Sequence, residues 1–263
     1  MRWCRFQWGQ NQPAYGIVED GNVVAVEGTP FGEHRRTFEV HPLSDVRLLP
    51  PVVPPVFYAA GVNYREHITE MAKIRAVDPT FPPRADVGYR ANNALTGDGE
   101  RIVIPHDATE QVQYEGELVV VFARACHRVT EEQALDYVLG YTIGNDVSER
   151  SWQRDDRTLW RAKNTDTFKP MGPWIETDIA EPDDLEVTIR LNGRQVYTYR
   201  VGDAIFSIRH FISRMSQYVT ILPGDVLWMG TDGPTENMKD GDVVEIEVPG
   251  IGVLRNPVVR ERA

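Results

Sequence analysis

Tyr114-Glu115-Gly116-Glu117-Leu118 opens a strongly apolar run that continues as Val119-Val120-Val121-Phe122-Ala123. A run of this length that is rich in β-branched residues predicts a strand buried on both faces. Residues two apart on a strand point to the same side, so the carboxylates of Glu115 and Glu117 are expected to project together. Two like charges at the edge of a core repel each other. They need a cation, or one of them must keep its proton.

A third acid has similar surroundings. Asp146 stands at the end of the strand-like segment Tyr141-Thr142-Ile143-Gly144, after Asn145. Together with Glu115 and Glu117 it forms an all-oxygen set, which suits Mg²⁺, Mn²⁺ or Ca²⁺ better than zinc and leaves coordination positions for water or substrate. The alternative hypothesis is a structural β-rich domain whose acids are only solvated.

Turn and linker signals predict the organisation of the chain. Asn192-Gly193 separates two alternating apolar segments and predicts a hairpin with a type I′ turn. The prolines at positions 50, 51, 54 and 55 exclude helix and regular strand pairing, so they mark a linker. We therefore expect a small β-rich N-terminal module at residues 1–50 and a larger domain at residues 56–263.

Helical signals are few, and the predicted fold class is α+β, mainly β. Thr130-Glu131-Glu132-Gln133 is a capping box that predicts a helix over residues 134–138, closed by Gly140. Between Lys73 and Arg90 the chain has three prolines and no clear periodicity, which predicts a long loop of the kind that often forms a lid.

Composition narrows the class of protein. The chain has 263 residues and a formal net charge of −11, from 28 basic and 39 acidic residues, which argues against nucleic acid or an anionic membrane as the main partner. Its two cysteines, Cys4 and Cys126, indicate neither a disulfide framework nor a thiolate zinc site. The start lacks the apolar core of a signal peptide and no apolar run approaches membrane-spanning length, so we expect a reduced, cytoplasmic protein.

Four motifs in order resemble the fumarylacetoacetate hydrolase superfamily. They are Gly61-x-Asn63-Tyr64-x-x-His67-x-x-Glu70, Tyr114-Glu115-Gly116-Glu117-Leu118, Gly140-Tyr141-x-x-x-Asn145-Asp146-Val147-Ser148-x-Arg150-x-x-Gln153, and Lys163 followed by Asp166-Thr167-Phe168-x-Pro170-x-Gly172-Pro173. The resemblance runs from Val56 to the C-terminus. It implies a mixed β-sandwich roll with few helices, often as a homodimer.

The resemblance also implies roles for individual residues. The implied metal ligands, usually for Mg²⁺ or Mn²⁺, are Glu115, Glu117 and Asp146. The implied catalytic residues are His67 and Glu70, as a dyad that activates water, and Lys163. The implied substrate contacts are Tyr64, Arg150, Gln153 and Thr231.

The reaction that the resemblance implies is C–C hydrolysis of a β-diketo acid such as an acylpyruvate, within the catabolism of aromatic compounds. The metal would act as a Lewis acid, and the expelled enolate would be stabilised by the metal with Lys163 or Arg150. The same enolate serves isomerisation and decarboxylation. An isomerase of the 2-hydroxyhepta-2,4-diene-1,7-dioate type or an oxaloacetate decarboxylase is therefore the first alternative, and a catalytically silent binder of metal and keto acid is the second.

Two features depart from the family pattern. After Thr231 the chain carries Asp232 and Glu236 where many members have a glycine-rich stretch. These acids would disfavour a second carboxylate on the substrate if they face the site. Arg90 stands where a lysine is common.

Overall fold

The N-terminal strands form an antiparallel meander. This computed structural model describes residues 1–262, except for the side chains of Ile74 and Arg75. The first strands are β1 (Arg2–Gln7), β2 (Ala14–Glu19), β3 (Asn22–Gly28), β4 (His34–Pro42) and β5 (Arg47–Leu49). Each of β1 to β3 pairs with the next strand, and β5 returns to pair with β1.

The rest of the chain is mainly strand, which confirms the predicted fold class. Its strands are β6 (Phe57–Ala60), β7 (Val87–Tyr89), β8 (Leu95–Thr96), β9 (Ile102–Ile104), β10 (Val112–Gln113), β11 (Gly116–Phe122), β12 (Val138–Asn145), β13 (Ser148–Glu149), β14 (Lys169–Glu176), β15 (Glu186–Leu191), β16 (Arg194–Arg200), β17 (Val226–Trp228), β18 (Val243–Val248) and β19 (Gly252–Arg260). Its α-helices are α1 (Arg65–Arg75), α2 (Arg150–Asp155), α3 (Trp160–Asn164) and α4 (Ile208–Ser216). No helix within residues 1–262 is long and apolar enough to cross a membrane.

Two mixed sheets build the core. The large sheet has the strand order β4-β3-β2-β1-β14-β12-β11-β17-β6-β7, and the second has the order β16-β15-β18-β19-β9. Most neighbours are antiparallel, but β6 runs parallel to β17 and β9 runs parallel to β19. The N-terminal meander continues the large sheet, because β1 pairs with β14 and sets Trp3 opposite Ile175. A domain boundary at residue 50 stays a prediction.

Strand β11 is buried along its whole length, as its apolar run predicts. On one face, Val120 packs in a cluster that includes Ile246 of the second sheet. On the other face, Val119 packs in a cluster with Trp3 and Trp228. The acids at the start of this strand are therefore attached to one of the most enclosed parts of the fold.

Two local predictions have opposite outcomes. The type I′ hairpin is confirmed, because Asn192 and Gly193 have φ values of 54° and 76° and join β15 to β16. The predicted helix over residues 134–138 is wrong. A 3₁₀ turn spans Ala134–Tyr137, and β12 begins at Val138. Gln133 does accept a hydrogen bond from the Thr130 backbone N–H, at 3.2 Å, but the residues that follow pair with β11 and cannot continue a helix.

Candidate active site

Three buried acids meet at one end of the large sheet. Glu115 precedes β11, Glu117 lies within it, and Asp146 follows β12. Because β11 and β12 are antiparallel with Gly116 opposite Asn145, the acids on the two strands reach the same place. One carboxylate oxygen from each acid lies within 4.8 Å of the others.

Arginine and lysine side chains surround two of these acids. Arg90 donates to both carboxylate oxygens of Asp146, at 3.1 and 2.8 Å. The Lys163 ammonium contacts Glu115 Oε2 at 2.5 Å and Asp146 Oδ2 at 2.6 Å. Arg150 Nη1 lies 2.7 Å from Glu115 Oε1. The buried Lys169 lies 2.7 Å from Asp146 Oδ1.

These contacts keep two carboxylates ionised. Burial by itself would raise the pKa of Glu115, but the charges of Lys163 and Arg150 outweigh burial and lower that pKa to about 2. The pKa of Asp146 is likewise held well below its usual value, because Arg90 and Lys163 outweigh its burial. Both acids therefore carry a negative charge at neutral pH.

Glu117 has a different environment. Its Oε2 accepts the Gly230 backbone N–H at 2.8 Å, and within residues 1–262 it has no ion pair. Burial, together with the charges of Asp146 and Glu115, raises the pKa of Glu117 to about 8. Glu117 is thus the acid of the three that has no ion pair among the described side chains, and the Lys163 charge offsets its burial only in part. The donor set fits a hard divalent ion, since it offers three buried oxygen ligands and a carboxylate that still lacks a cation.

His67 reaches the same pocket from α1. Its backbone N–H donates to Asp232 Oδ1 at 2.9 Å, and its Nδ1 lies 3.1 Å from the Gly233 carbonyl oxygen. A carbonyl only accepts, so Nδ1 carries the proton and Nε2 is left as the basic nitrogen. Burial is the main cause that lowers the pKa of His67 below its usual value of 6.5. The imidazole is therefore neutral at pH 7.

Two of the predicted site residues lie elsewhere. Glu70 shares α1 with His67, but it accepts from Lys73 Nζ at 2.6 Å, and His67 and Glu70 form no hydrogen bond. The dyad stays a prediction; in this structure the Gly233 carbonyl orients the imidazole. Tyr64 is buried in the core, where its hydroxyl donates to the Val201 carbonyl at 3.2 Å. This position does not support the predicted substrate contact.

All the other predicted site residues line one pocket of about 430 Å³: His67, Glu115, Glu117, Asp146, Arg150, Gln153, Lys163 and Thr231. Gln153 Oε1 accepts from Arg150 Nη1 at 2.9 Å. Arg150 Nη2 is buried and finds no hydrogen-bond partner within residues 1–262. Because an unpaired buried donor is costly, this nitrogen is suited to an anionic group that enters the pocket.

Comparison with known proteins identifies the family. Residues 56–259 match the family model described as fumarylacetoacetate (FAA) hydrolase C-terminal. The chain belongs to the fumarylacetoacetate hydrolase family. Residues 1–51 match a second model, described as Rv2993c-like, N-terminal.

Relatives of this fumarylacetoacetate hydrolase family member cover nearly the whole chain. Protein Rv2993c of Mycobacterium tuberculosis is 42% identical over 234 residues, which cover 88% of this chain and 86% of the relative. The 2,4-didehydro-3-deoxy-L-rhamnonate hydrolase of a Sphingomonas species is 32% identical over 282 residues, which cover 98% of this chain and 96% of the relative. The crystal structure of 5-carboxymethyl-2-hydroxymuconate delta-isomerase from Mycobacterium smegmatis matches with a TM-score of 0.88 and 38% sequence identity. The match covers 99% of this chain and 100% of that chain. The predicted roll of the fumarylacetoacetate hydrolase type is therefore confirmed, and members of this family include a hydrolase and an isomerase.

Sequence reasoning missed several residues of this fumarylacetoacetate hydrolase site. Nothing in the sequence pairs Arg90 with Asp146. Lys169 did carry a signal, because a lysine within the apolar segment around Phe168 and Met171 predicts a buried charge that needs a partner. The two acids after Thr231 take different places. Asp232 is buried against the His67 backbone, whereas Glu236 pairs with Arg194 at the surface.

Proposed function

We propose that this member of the fumarylacetoacetate hydrolase family is a divalent-metal-dependent hydrolase that cleaves a C–C bond in a β-diketo acid of the acylpyruvate type. The observation that carries the proposal is a buried neutral histidine in the same pocket as three buried oxygen ligands. A base for water and ligands for a Lewis acid are the two parts that this hydrolysis needs.

Glu115, Glu117 and Asp146 would hold Mg²⁺ or Mn²⁺. The bound ion would supply Lewis-acid polarisation of a substrate carbonyl oxygen. Arg90 and Lys163 hold the Asp146 carboxylate from several sides, so the ligand oxygens are positioned before a substrate arrives.

The protein's own residues would move the protons and bind the charges. Arg150 Nη2 would donate to the substrate carboxylate. His67 Nε2 would take a proton from water while the water oxygen attacks the carbonyl carbon farther from that carboxylate. The C–C bond then breaks and leaves its electron pair on the 2-oxo acid fragment as an enolate, near the positive charge of Lys163. The protonated His67 returns its proton to the enolate carbon, which gives one carboxylic acid and one 2-oxo acid.

Isomerisation of a 2-oxo or 2-hydroxydienoic acid is the second candidate function. The observation in its favour is the 38% identity to a solved structure named as a delta-isomerase. An isomerase would use the same stabilised enolate and return the proton to another carbon, without attack by water. The two functions therefore differ in whether the carbon chain is cut.

The experiment that tests the proposal is a parallel turnover assay. Acetylpyruvate and oxaloacetate are incubated with the purified protein and Mg²⁺ or Mn²⁺, with EDTA as the control. We expect loss of the diketone absorbance and release of pyruvate, both abolished by EDTA. Decarboxylation or tautomerisation of oxaloacetate with no cleavage of acetylpyruvate would contradict the hydrolase assignment and leave the metal site in place.

The pH dependence follows from the burial of His67. A protonated imidazole cannot act as the base, and the pKa of His67 is lowered from 6.5 chiefly because burial disfavours the charged ring. We therefore expect the decrease of kcat/KM at low pH, measured with saturating metal, to have its midpoint below 6.5. Proton NMR of the imidazole resonance that His67→Gln removes should show a midpoint below 6.5. A midpoint above 6.5 would contradict the assignment of a buried neutral base.

A further inference from the structure

The pocket has an apolar side that takes no part in the chemistry above. We call it the outer wall, and its members are Val62, Ile68, Met71, Ala72, Val77 and Leu159. Val62 and Val77 are 55% and 59% exposed, so the outer wall faces the mouth of the pocket, whereas the three acids at the inner end are buried. Exposed apolar side chains beside a polar centre are a surface that an apolar group of a ligand can cover.

The cations of the pocket are all engaged at the inner end. Among the described side chains that line it, Arg90 pairs with Asp146, Arg150 pairs with Glu115, and Lys163 pairs with both acids. Among these cations, Arg150 Nη2 is the buried nitrogen that has no hydrogen-bond partner among the described side chains, and it suits one substrate carboxylate.

Two basic side chains of α1 that the structure describes have partners as well. Lys73 pairs with Glu70 at 2.6 Å, and the Arg65 guanidinium lies over the Phe81 ring at 5.0 Å. Neither side chain is among the residues that line the pocket. A second carboxylate on a substrate would therefore meet no cation that the structure describes there.

Among the described residues, the charged side chain that lines the pocket beside the outer wall is negative. Asp78 lines the pocket beside Val77 and is exposed at its mouth. A second carboxylate on the substrate would lose part of its water shell and gain a repulsive neighbour in Asp78.

We infer that the site selects acids with one carboxylate and an uncharged aliphatic tail, and that it discriminates against substrates with a second carboxylate at the far end. This inference rests on the proposed function, because it places the 2-oxo acid group at the inner end. The tail then lies along the outer wall. Specificity resides in α1 and the loop after it.

A matched pair of ligands tests the inference without turnover. 2-Oxohexanoate and 2-oxoadipate both have six carbons, but only the second carries a carboxylate at the far end. Isothermal titration of Mg²⁺-loaded protein is expected to show tighter binding of 2-oxohexanoate by about tenfold, since the unpaired carboxylate of 2-oxoadipate gains no partner. The two ligands present the same 2-oxo acid group to the inner end.

Variants in and beside the outer wall should change the ratio of the dissociation constants of the two ligands. Met71→Lys supplies the missing cation. It is expected to tighten the binding of 2-oxoadipate by about fivefold and to weaken the binding of 2-oxohexanoate. Asp78→Asn should shift the ratio in the same direction by about twofold, because its charge is exposed. Asp20→Asn removes one negative charge from the turn between β2 and β3, outside the pocket, and should leave the ratio unchanged.

The outcomes separate the inference from the proposed function. Equal or tighter binding of 2-oxoadipate to the wild-type protein, beside hydrolysis of acetylpyruvate, would overturn the inference alone. Selective binding of 2-oxohexanoate without acetylpyruvate hydrolysis would support the inference and overturn the hydrolase assignment. Binding of neither ligand would overturn both.

Discussion

His67→Gln is expected to lower kcat/KM for acetylpyruvate hydrolysis by about 10³-fold, within the range that loss of a general base produces. The glutamine amide can still donate a hydrogen bond, but it cannot take a proton from water. His67 has hydrogen bonds to Asp232 and Gly233 and to none of the three acids, so the affinity for Mn²⁺ should stay within about twofold of wild type. Steady-state kinetics and isothermal titration with Mn²⁺ measure the two effects separately.

Glu70→Gln is the matched comparison for His67→Gln, because both residues lie on α1. If the Gly233 carbonyl orients His67, as in the structure, Glu70→Gln should cost at most about fivefold, the equivalent of an exposed ion pair with Lys73. A loss as large as that of His67→Gln would support the predicted dyad. Equal losses of Mn²⁺ affinity and activity in His67→Gln would contradict its assignment as the base.

Glu115→Gln and Glu117→Gln should both abolish metal binding but change the stability of the metal-free protein in opposite directions. Glu115 compensates the buried Arg150, and removal of one partner from a buried ion pair costs about 3 kcal/mol. That loss corresponds to a melting temperature lower by roughly 6–12 °C. Glu117 compensates no cation, and a glutamine oxygen can still accept the Gly230 N–H. Glu117→Gln should therefore stabilise the metal-free protein.

The gain from Glu117→Gln should depend on pH. The pKa of Glu117 is raised from 4.5 to about 8 in the folded protein, chiefly by burial. Between these values the folded state holds a proton that the unfolded state has released, so Glu117 lowers stability as the pH rises. The variant has no such proton. The difference in stability between the variant and the wild-type protein should be absent at pH 4.5 and should grow toward pH 8 by at most about 1.4 kcal/mol per pH unit.

Thermal unfolding in EDTA, with and without excess Mn²⁺, measures these effects. Wild-type protein should gain stability with Mn²⁺, and neither variant should. Glu115→Gln serves as the control for a general effect of a lost carboxylate. Destabilisation of the metal-free protein by both variants would contradict the distinction between the compensated and the uncompensated acid.

Local patterns were sufficient to predict the strand that carries two of the acids and a turn in the second sheet. The burial of β11, the shared direction of Glu115 and Glu117 and the type I′ turn at Asn192 all depend on neighbours in the chain. The meeting of Asp146 with the first two acids required a resemblance to known motifs, because it depends on the pairing of β11 with β12. The homodimer stays a prediction from that resemblance, and the cytoplasmic location stays a prediction from the N-terminal sequence and the two cysteines. The identity of the metal stays a prediction from the oxygen donor set and the resemblance together.

Other features were not accessible, because long-range contacts decide them. The capping box at Thr130 forms its side-chain contact, yet strand pairing from Val138 onward prevents the helix. The spacing of His67 and Glu70 allows a hydrogen bond, but the Gly233 carbonyl, far along the chain, accepts the hydrogen bond from the imidazole Nδ1–H. Arg90 lies 56 residues from Asp146, and no periodicity connects them.

The pairing of β1 with β14 limits how the N-terminal segment can be exchanged in evolution or engineering. Trp3 of β1 lies opposite Ile175 of β14 and in the same apolar cluster as Trp228. Strand β14 begins at Lys169, which contacts Asp146. A chain that began at the linker would leave an open strand edge and an uncovered apolar surface on the sheet that bears the active site. Any replacement for the first fifty residues must therefore bring its own strand for β14 and an aromatic side chain to cover that cluster.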